Sequence, residues 1–160
     1  MSTADEYPPI GDYALIGDCH SAALVSREAS IEWCCLPRFD SGSAFGRMLD
    51  RQHGGHCSIR PTDGAPWEYS RRYVEDTLVL ETRLRGPAGE ARILDCFSVR
   101  DSARSTPSRQ IIRVIEGARG SIELEVKVAP RFDYGQVKPW IRRHGHQLHS
   151  AIGGNDALLV

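Results

Sequence analysis

Ser121-Ile122-Glu123-Leu124-Glu125-Val126-Lys127-Val128 decides the fold class. Apolar residues take every second position and charged ones fill the gaps between them. A period of two puts one set of side chains on each face of a strand. One face then meets a core and the other meets water, as in antiparallel sheets that are solvated on one side. Thr77 to Leu84 repeats the pattern, with Leu78, Leu80 and Leu84 on one face and Glu81 and Arg83 on the other.

Outward from these two segments, strands are predicted at Cys57–Arg60, Trp67–Val74, Ala91–Ser98, Arg109–Ile115, Trp140–His144, Gln147–Ile152 and Ala157–Val160. Turn chemistry separates them at Pro87-Ala88-Gly89, at Gly117-Ala118-Arg119-Gly120, at Gly145 and at Gly153-Gly154-Asn155. Three more short strands fill Ile10 to Cys35 and deliver the chain to an irregular Pro37-Arg38-Phe39-Asp40-Ser41 loop. One short helix is expected after a cap at Ser41 or Ser43, with Phe45, Met48 and Leu49 on one side and Gly54-Gly55 beyond its end. Asp101 to Ser108 is polar and patternless, an exposed loop. The expectation is therefore an all-β protein, an antiparallel β-sandwich with one short helix. Residues 1–9, stiffened by Pro8-Pro9, form a flexible lead-in, and residues 10–160 form the single domain. The apolar run Asp156-Ala157-Leu158-Leu159-Val160 stops in mid-strand, so the sandwich is expected to be truncated relative to a longer domain.

Composition narrows the function classes. A formal net charge of −1 provides no cationic footprint for nucleic acid or an anionic membrane. The pairs Arg71-Arg72 and Arg142-Arg143 read as solvated strand faces. No apolar run approaches the roughly 20 residues of a membrane helix. Met1 to Tyr7 is polar and acidic, unlike a secretory signal. The five cysteines (Cys19, Cys34, Cys35, Cys57 and Cys96) are odd in number and mostly sit inside apolar segments. Reduced, buried thiols and a cytoplasmic location are expected.

Several chemistries fail on spacing. His53 and His56 have no second pair at zinc-type separation, so no metal is expected. Cys19 and His20 are neighbours that should face apart on a strand, which leaves no activated thiol. Gly11 and Gly17 flank a strand and do not open a helix, so they build no phosphate cradle. Asp12, Asp18, Asp40 and Asp133 could supply a carboxylate pair, but Asp12 and Asp18 read as turn acceptors.

Sugar recognition is better represented. Pro37-Arg38-Phe39-Asp40 recurs as Pro130-Arg131-Phe132-Asp133, each copy directly after a strand. If both ends face the same edge they form one polar rim. Pyranose rings are held by aromatic faces together with Asp and Arg hydrogen bonds. Trp33, Phe39, Trp67, Tyr69, Phe132, Tyr134 and Trp140 could supply the faces. Against this, the three tryptophans more simply fill the core, and each Arg–Asp couple can pin its own loop. The candidate substrate-binding residues are Arg38, Phe39, Asp40, Arg131, Asp133 and Trp33.

Taken in order, the chain resembles the N-terminal domain of bacterial glycoside hydrolase family 15 proteins of the trehalase and glucoamylase type. The likeness is carried by Ile10 to Phe45, the Gly54-Gly55-His56 turn and Tyr73 to Leu84. It continues in Ile93-Leu94-Asp95-Cys96-Phe97, Ala129 to Gly135, and Gly153-Gly154-Asn155-Asp156-Ala157-Leu158. Ala29 stands where a turn glycine is more usual, and Glu32 and Cys34 replace the Asp and Leu often found around the tryptophan. The resemblance implies a β-sandwich that precedes a helical (α/α)6 barrel, with the acid and base glutamates in that barrel acting by inversion. No catalytic residue of the family maps onto this chain, which is expected to be inactive alone and to need no cofactor. Its implied partners are the barrel of its parent protein and an α-glucoside such as trehalose or maltose. The alternatives are a stand-alone α-glucan-binding module, or a structural module whose edge strand pairs with a second copy as a homo-oligomer.

Overall fold

The computed structural model describes residues 7–98 and 109–160; the loop expected over Asp101–Ser108 lies outside them. The described residues form strands, turns and two single-turn 3-10 helices, at Ile10–Asp12 and Asp133–Gly135. The fold is all-β.

The first sheet contains β1 (Tyr13–Gly17), β2 (Ala22–Ser26), β3 (Ser30–Cys35), β5 (His56–Pro61) and β10 (Leu124–Ala129) in that lateral order. The short β4 (Ser43–Phe45) also pairs with β3. The second sheet is β6 (Glu68–Tyr73), β7 (Leu80–Gly86), β8 (Gly89–Phe97) and β9 (Ile111–Gly120). The third is β11 (Trp140–His144), β12 (Leu148–Gly153) and β13 (Asp156–Leu159). Every strand pairing is antiparallel.

The period-two pattern does what it predicts. Leu80 and Leu84 of β7 and Ile93 and Phe97 of β8 are buried and pack against Ile16, Val25, Ile31 and Ile59 of the first sheet. Burying a side chain of this size contributes on the order of 1.5–3 kcal/mol. Polar clasps fix how the sheets sit. The Leu15 N–H donates to Tyr73 Oη at 3.0 Å while the Tyr73 hydroxyl donates to Leu15 O at 2.9 Å. Arg71 reaches across to donate to Asp12 O at 2.7 Å.

Some local expectations are corrected. The short helix after Ser41 is absent: Ser43–Phe45 is strand β4, and turns follow it. The pairing of Cys34 with Phe45 and Cys35 with Ser43 outweighs the local capping signal. Gly117 to Gly120 is not a turn but the end of β9, paired with Gly89 to Ala91. Leu78 precedes β7 and is exposed.

Glu81, expected on the watery face, is buried. Arg72 Nε and Arg83 Nε each lie 2.8 Å from Glu81 Oε1, and Arg92 Nη1 lies 3.6 Å from Oε2. The Arg72 hydrogen bond, followed by the one from Arg83, holds the Glu81 carboxyl below its ordinary pKa despite the opposing effect of burial. No helix among the described residues is long and apolar enough to cross a membrane.

Candidate functional site

Two loops meet at one end of the first sheet. The chain leaves β3 through a cis Leu36-Pro37 bond and turns at Arg38 to Ser41. Three bonds fix that turn: Phe39 N–H to His20 O at 3.0 Å, Ser41 N–H to Arg38 O at 3.1 Å, and Arg38 N–H to Ser41 Oγ at 3.1 Å. The platform beneath is the β1–β2 turn. There Asp18 Oδ1 accepts from Ser21 N–H at 2.8 Å and from His20 N–H at 3.0 Å, and Arg109 Nη1 lies 3.3 Å from Oδ2. Burial raises the Asp18 pKa, but the two backbone donors and Arg109 outweigh it and leave the carboxyl below its ordinary value. Asp18 is thus the turn acceptor its sequence suggests, and Asp12 is paired with Arg27 at 2.7 Å.

The second loop comes to the first through β4. Arg131 N–H donates to Ala44 O at 3.0 Å, and Tyr134 N–H donates to Ser43 Oγ at 2.8 Å. An atom added at Gly42 would lie 3.9 Å from Asp133 Oδ1, so the end of the first loop lies against the second. Asp133 (φ 50°), Tyr134 (φ 56°) and Gly135 (φ 96°) form a consecutive left-handed run. Non-glycine residues in that region cost roughly 1–2 kcal/mol each. Val137 N–H to Phe132 O at 3.0 Å and Phe132 N–H to Val137 O at 2.9 Å close the loop and hold the run in place.

The two copies are not equivalent. Phe39 is 53% exposed, whereas Phe132 is a core residue at 3%. Arg38 grips Asp40, with Nε 2.9 Å from Oδ1 and Nη2 3.2 Å from Oδ2, and that hydrogen-bonded guanidinium holds the Asp40 carboxyl below its ordinary pKa. Arg131 instead donates to Pro130 O at 2.7 Å, which leaves the Asp133 side chain outside that pairing. Trp33 is half-buried in β3 opposite Leu24, on the sheet and not in either loop.

The aromatic cluster expected from sequence is dispersed. Trp67 and Tyr69 pack on the Ile59–Leu84–Ile93 core, and Trp140 stands on β11 in the third sheet. Trp140 is 76% exposed, which overturns its reading as core filler. What sequence reasoning passed over at the rim is Ser43, masked by its helix-cap reading; Tyr134, named among the possible aromatic faces but left out of the candidate set, has its phenol 3.9 Å from Cys35 Sγ. Burial pushes up the Cys35 thiol pKa and carries that of Cys34, on the core side, to about 12. Neither is a ready thiolate nucleophile. The expectation that Cys19 and His20 sit on a strand is also corrected: they lie in the β1–β2 turn, with Cys19 exposed.

The rim therefore presents an exposed phenyl ring, an exposed phenol and carboxylates on rigid turns. That arrangement can bind hydroxyl groups and an apolar sugar face. Among the described residues no three His, Cys, Asp or Glu side chains converge as metal ligands.

Comparison with known proteins places the chain. A trehalase-like, N-terminal family model matches residues 3–160. A trehalase of Mycolicibacterium smegmatis is 33% identical over 160 aligned residues, covering 91% of this chain and 24% of the relative. A trehalase of Mycobacterium tuberculosis is 32% identical, covering 82% of this chain and 21% of its own length. One from Thermoplasma volcanium is 31% identical, with 90% and 23% covered. The chain thus spans about a quarter of the length of these relatives. No solved structure matches it significantly. With the match running through both loops of the rim and both faces of the core, the chain belongs to the trehalase-like N-terminal family.

Proposed function

We propose that this chain is the non-catalytic N-terminal β-sandwich domain of a cytoplasmic, inverting α-glucoside hydrolase of glycoside hydrolase family 15. It packs on an (α/α)6 barrel that carries the acid and base, and its rim helps shape the mouth of the substrate pocket. The observation that carries this reading is the meeting of the two Arg-aromatic-Asp loops beside a left-handed run, at Asp133 and Tyr134, that the surrounding bonds sustain. Backbone held in sparsely populated conformations concentrates at functional sites. Arg38, Phe39, Asp40 and Asp133 are the groups offered to substrate, together with the exposed Tyr134 beside them. Arg131, whose N–H is bonded to Ala44 O, helps hold the second loop in place, and Trp33 lies on β3 outside both loops.

The test is Asp40→Ala in the intact parent enzyme. The Arg38–Asp40 pair is exposed, with side-chain accessibilities of 68% and 71%, so its loss costs stability little. Turnover of trehalose or maltose should fall about tenfold, equivalent to roughly 1.4 kcal/mol of transition-state stabilisation. Unchanged kinetics would discard a role for the rim.

A second reading, a stand-alone α-glucan-binding module, is favoured by Trp140, whose ring is free to stack on a sugar. Affinity electrophoresis of the chain in soluble starch, with and without Trp140→Ala, decides it: retardation that the substitution abolishes supports the module, and free migration removes it.

A further inference from the structure

The inner face of the sandwich is open along one side. β10 is bonded to β5 on one edge, and β9 to β8 on one edge; their other edges are unpaired among the described residues. Between them lies a cavity of about 540 Å³, walled by Ile111 and Ile115 of β9, Val126 and Val128 of β10, and Leu158 and Val160 at the third sheet.

These residues should be covered, and some are not. Val126 is paired with Ile59 and Val128 with Cys57, both buried, so the Val126 side chain points to the core face. It is nevertheless 54% exposed. Ile115, paired with the fully buried Ile93, is 40% exposed. Isolated exposed apolar residues are ordinary; inward-pointing ones along two adjacent free edges are not. The β10 edge is also undefended. Its register with β5 is regular over six residues without a bulge, β10 itself contains no proline, and its charges Glu125 and Lys127 sit on the outer face. Such an edge is a template for another strand.

We propose that this groove is filled by a β-strand from the remaining polypeptide of a trehalase-length parent protein. That strand hydrogen-bonds to the free edge of β10 and presents alternate apolar side chains to Val126, Val128 and Ile115. Its occupant is argued from length: this chain accounts for 24%, 21% and 23% of three relatives, so ample polypeptide exists in such proteins to supply the strand. The inference rests on the family membership and on the free edges, not on any role of the rim in catalysis.

Val126→Lys tests it by comparing two proteins. In the 160-residue chain the side chain is more exposed than buried, and the substitution should leave the urea midpoint nearly unchanged. In the full-length parent the same lysine would enter a closed core, and the midpoint should drop clearly. Lys127→Glu, on the outer face, serves as the control and should do little in either protein. Hydrogen exchange supplies an independent reading: alternate β10 amides should exchange at least tenfold more slowly in the parent than in the 160-residue chain. Equal effects of Val126→Lys in both proteins overturn the proposal, as do β10 amides equally protected in both. A concentration-dependent dimer of the 160-residue chain that protects the β10 edge to the level seen in the parent would assign the groove to a second copy instead and equally overturn it. Loss of trehalase activity by Asp40→Ala bears on none of these measurements, so the two proposals fail separately.

Discussion

Arg113 on β9 holds Asp95 on β8 through two hydrogen bonds, Nε to Oδ1 at 2.7 Å and Nη2 to Oδ2 at 3.1 Å. The same guanidinium crosses to the first sheet, donating to Cys57 O at 2.8 Å and to Ala29 O at 2.7 Å. Asp95 is fully buried, and its charge is tolerable there because this partner answers it. Ala29 itself adopts φ 56°, the left-handed conformation for which glycine is the usual choice. One arginine therefore ties both sheets to the β2–β3 turn.

Removing one member of that pair should be worse than removing both. Arg113→Met leaves a buried carboxylate and two carbonyls without their donor and should cost about 3–5 kcal/mol. Combining it with Asp95→Leu removes the uncompensated charge, so the double variant should recover a large part of that loss. Urea unfolding of the two single variants and the double variant measures the coupling.

His56 should report a cationic neighbourhood. Burial lowers its pKa first, and Arg47, Lys127, Arg60 and Arg131 add to the effect, taking it from 6.5 to about 4. The unfolded chain takes up this proton as pH falls through 6.5, whereas the folded one does so only near 4, so His56 makes stability decline across that window. An NMR titration of its ring protons should show a midpoint near 4, and His56→Gln should flatten the decline between those two values. A midpoint near the ordinary imidazole value would show that neither burial nor the four cations act on the ring as described.

Gly86 should tolerate no side chain. A Cβ there would stand 2.5 Å from the Trp67 ring, which packs on the second core cluster and whose Nε1–H donates to Asp63 Oδ1 at 2.8 Å. Gly86→Ala must displace the indole and should cost about 1–3 kcal/mol, the usual range for overpacking. The altered indole environment should appear as a shift in tryptophan emission, which distinguishes displacement of the ring from a general loss of stability.

Where local pattern and tertiary demand agreed, the sequence was readable. β11 begins and ends at the predicted residues, and the alternation in β7 and β10 identified their inward faces. Reading failed where one local sequence met two environments. Phe39 and Phe132 sit in the same tetrapeptide, yet one faces water and the other fills the core, because only the second is followed by a bridge to Val137. β4 has three residues and no pattern of its own; it is a strand because β3 offers it a partner. Glu81 alternates like a solvent-facing residue, but arginines from both neighbouring strands close over it. The rim was visible as a repeated tetrapeptide. That β4 would join its halves was not, since such a contact depends on sheet order.

The third sheet is fastened to the sandwich chiefly by Ala151, with half-buried Leu158 and Val137 beside it, while every residue of β11 is exposed. So slender an attachment gives it little share in the cooperative unit formed by the other two sheets. It should breathe on its own, exchanging amide protons through openings that leave the sandwich intact. A protease would then be expected to cut first between Trp140 and Leu159 and to release a resistant core.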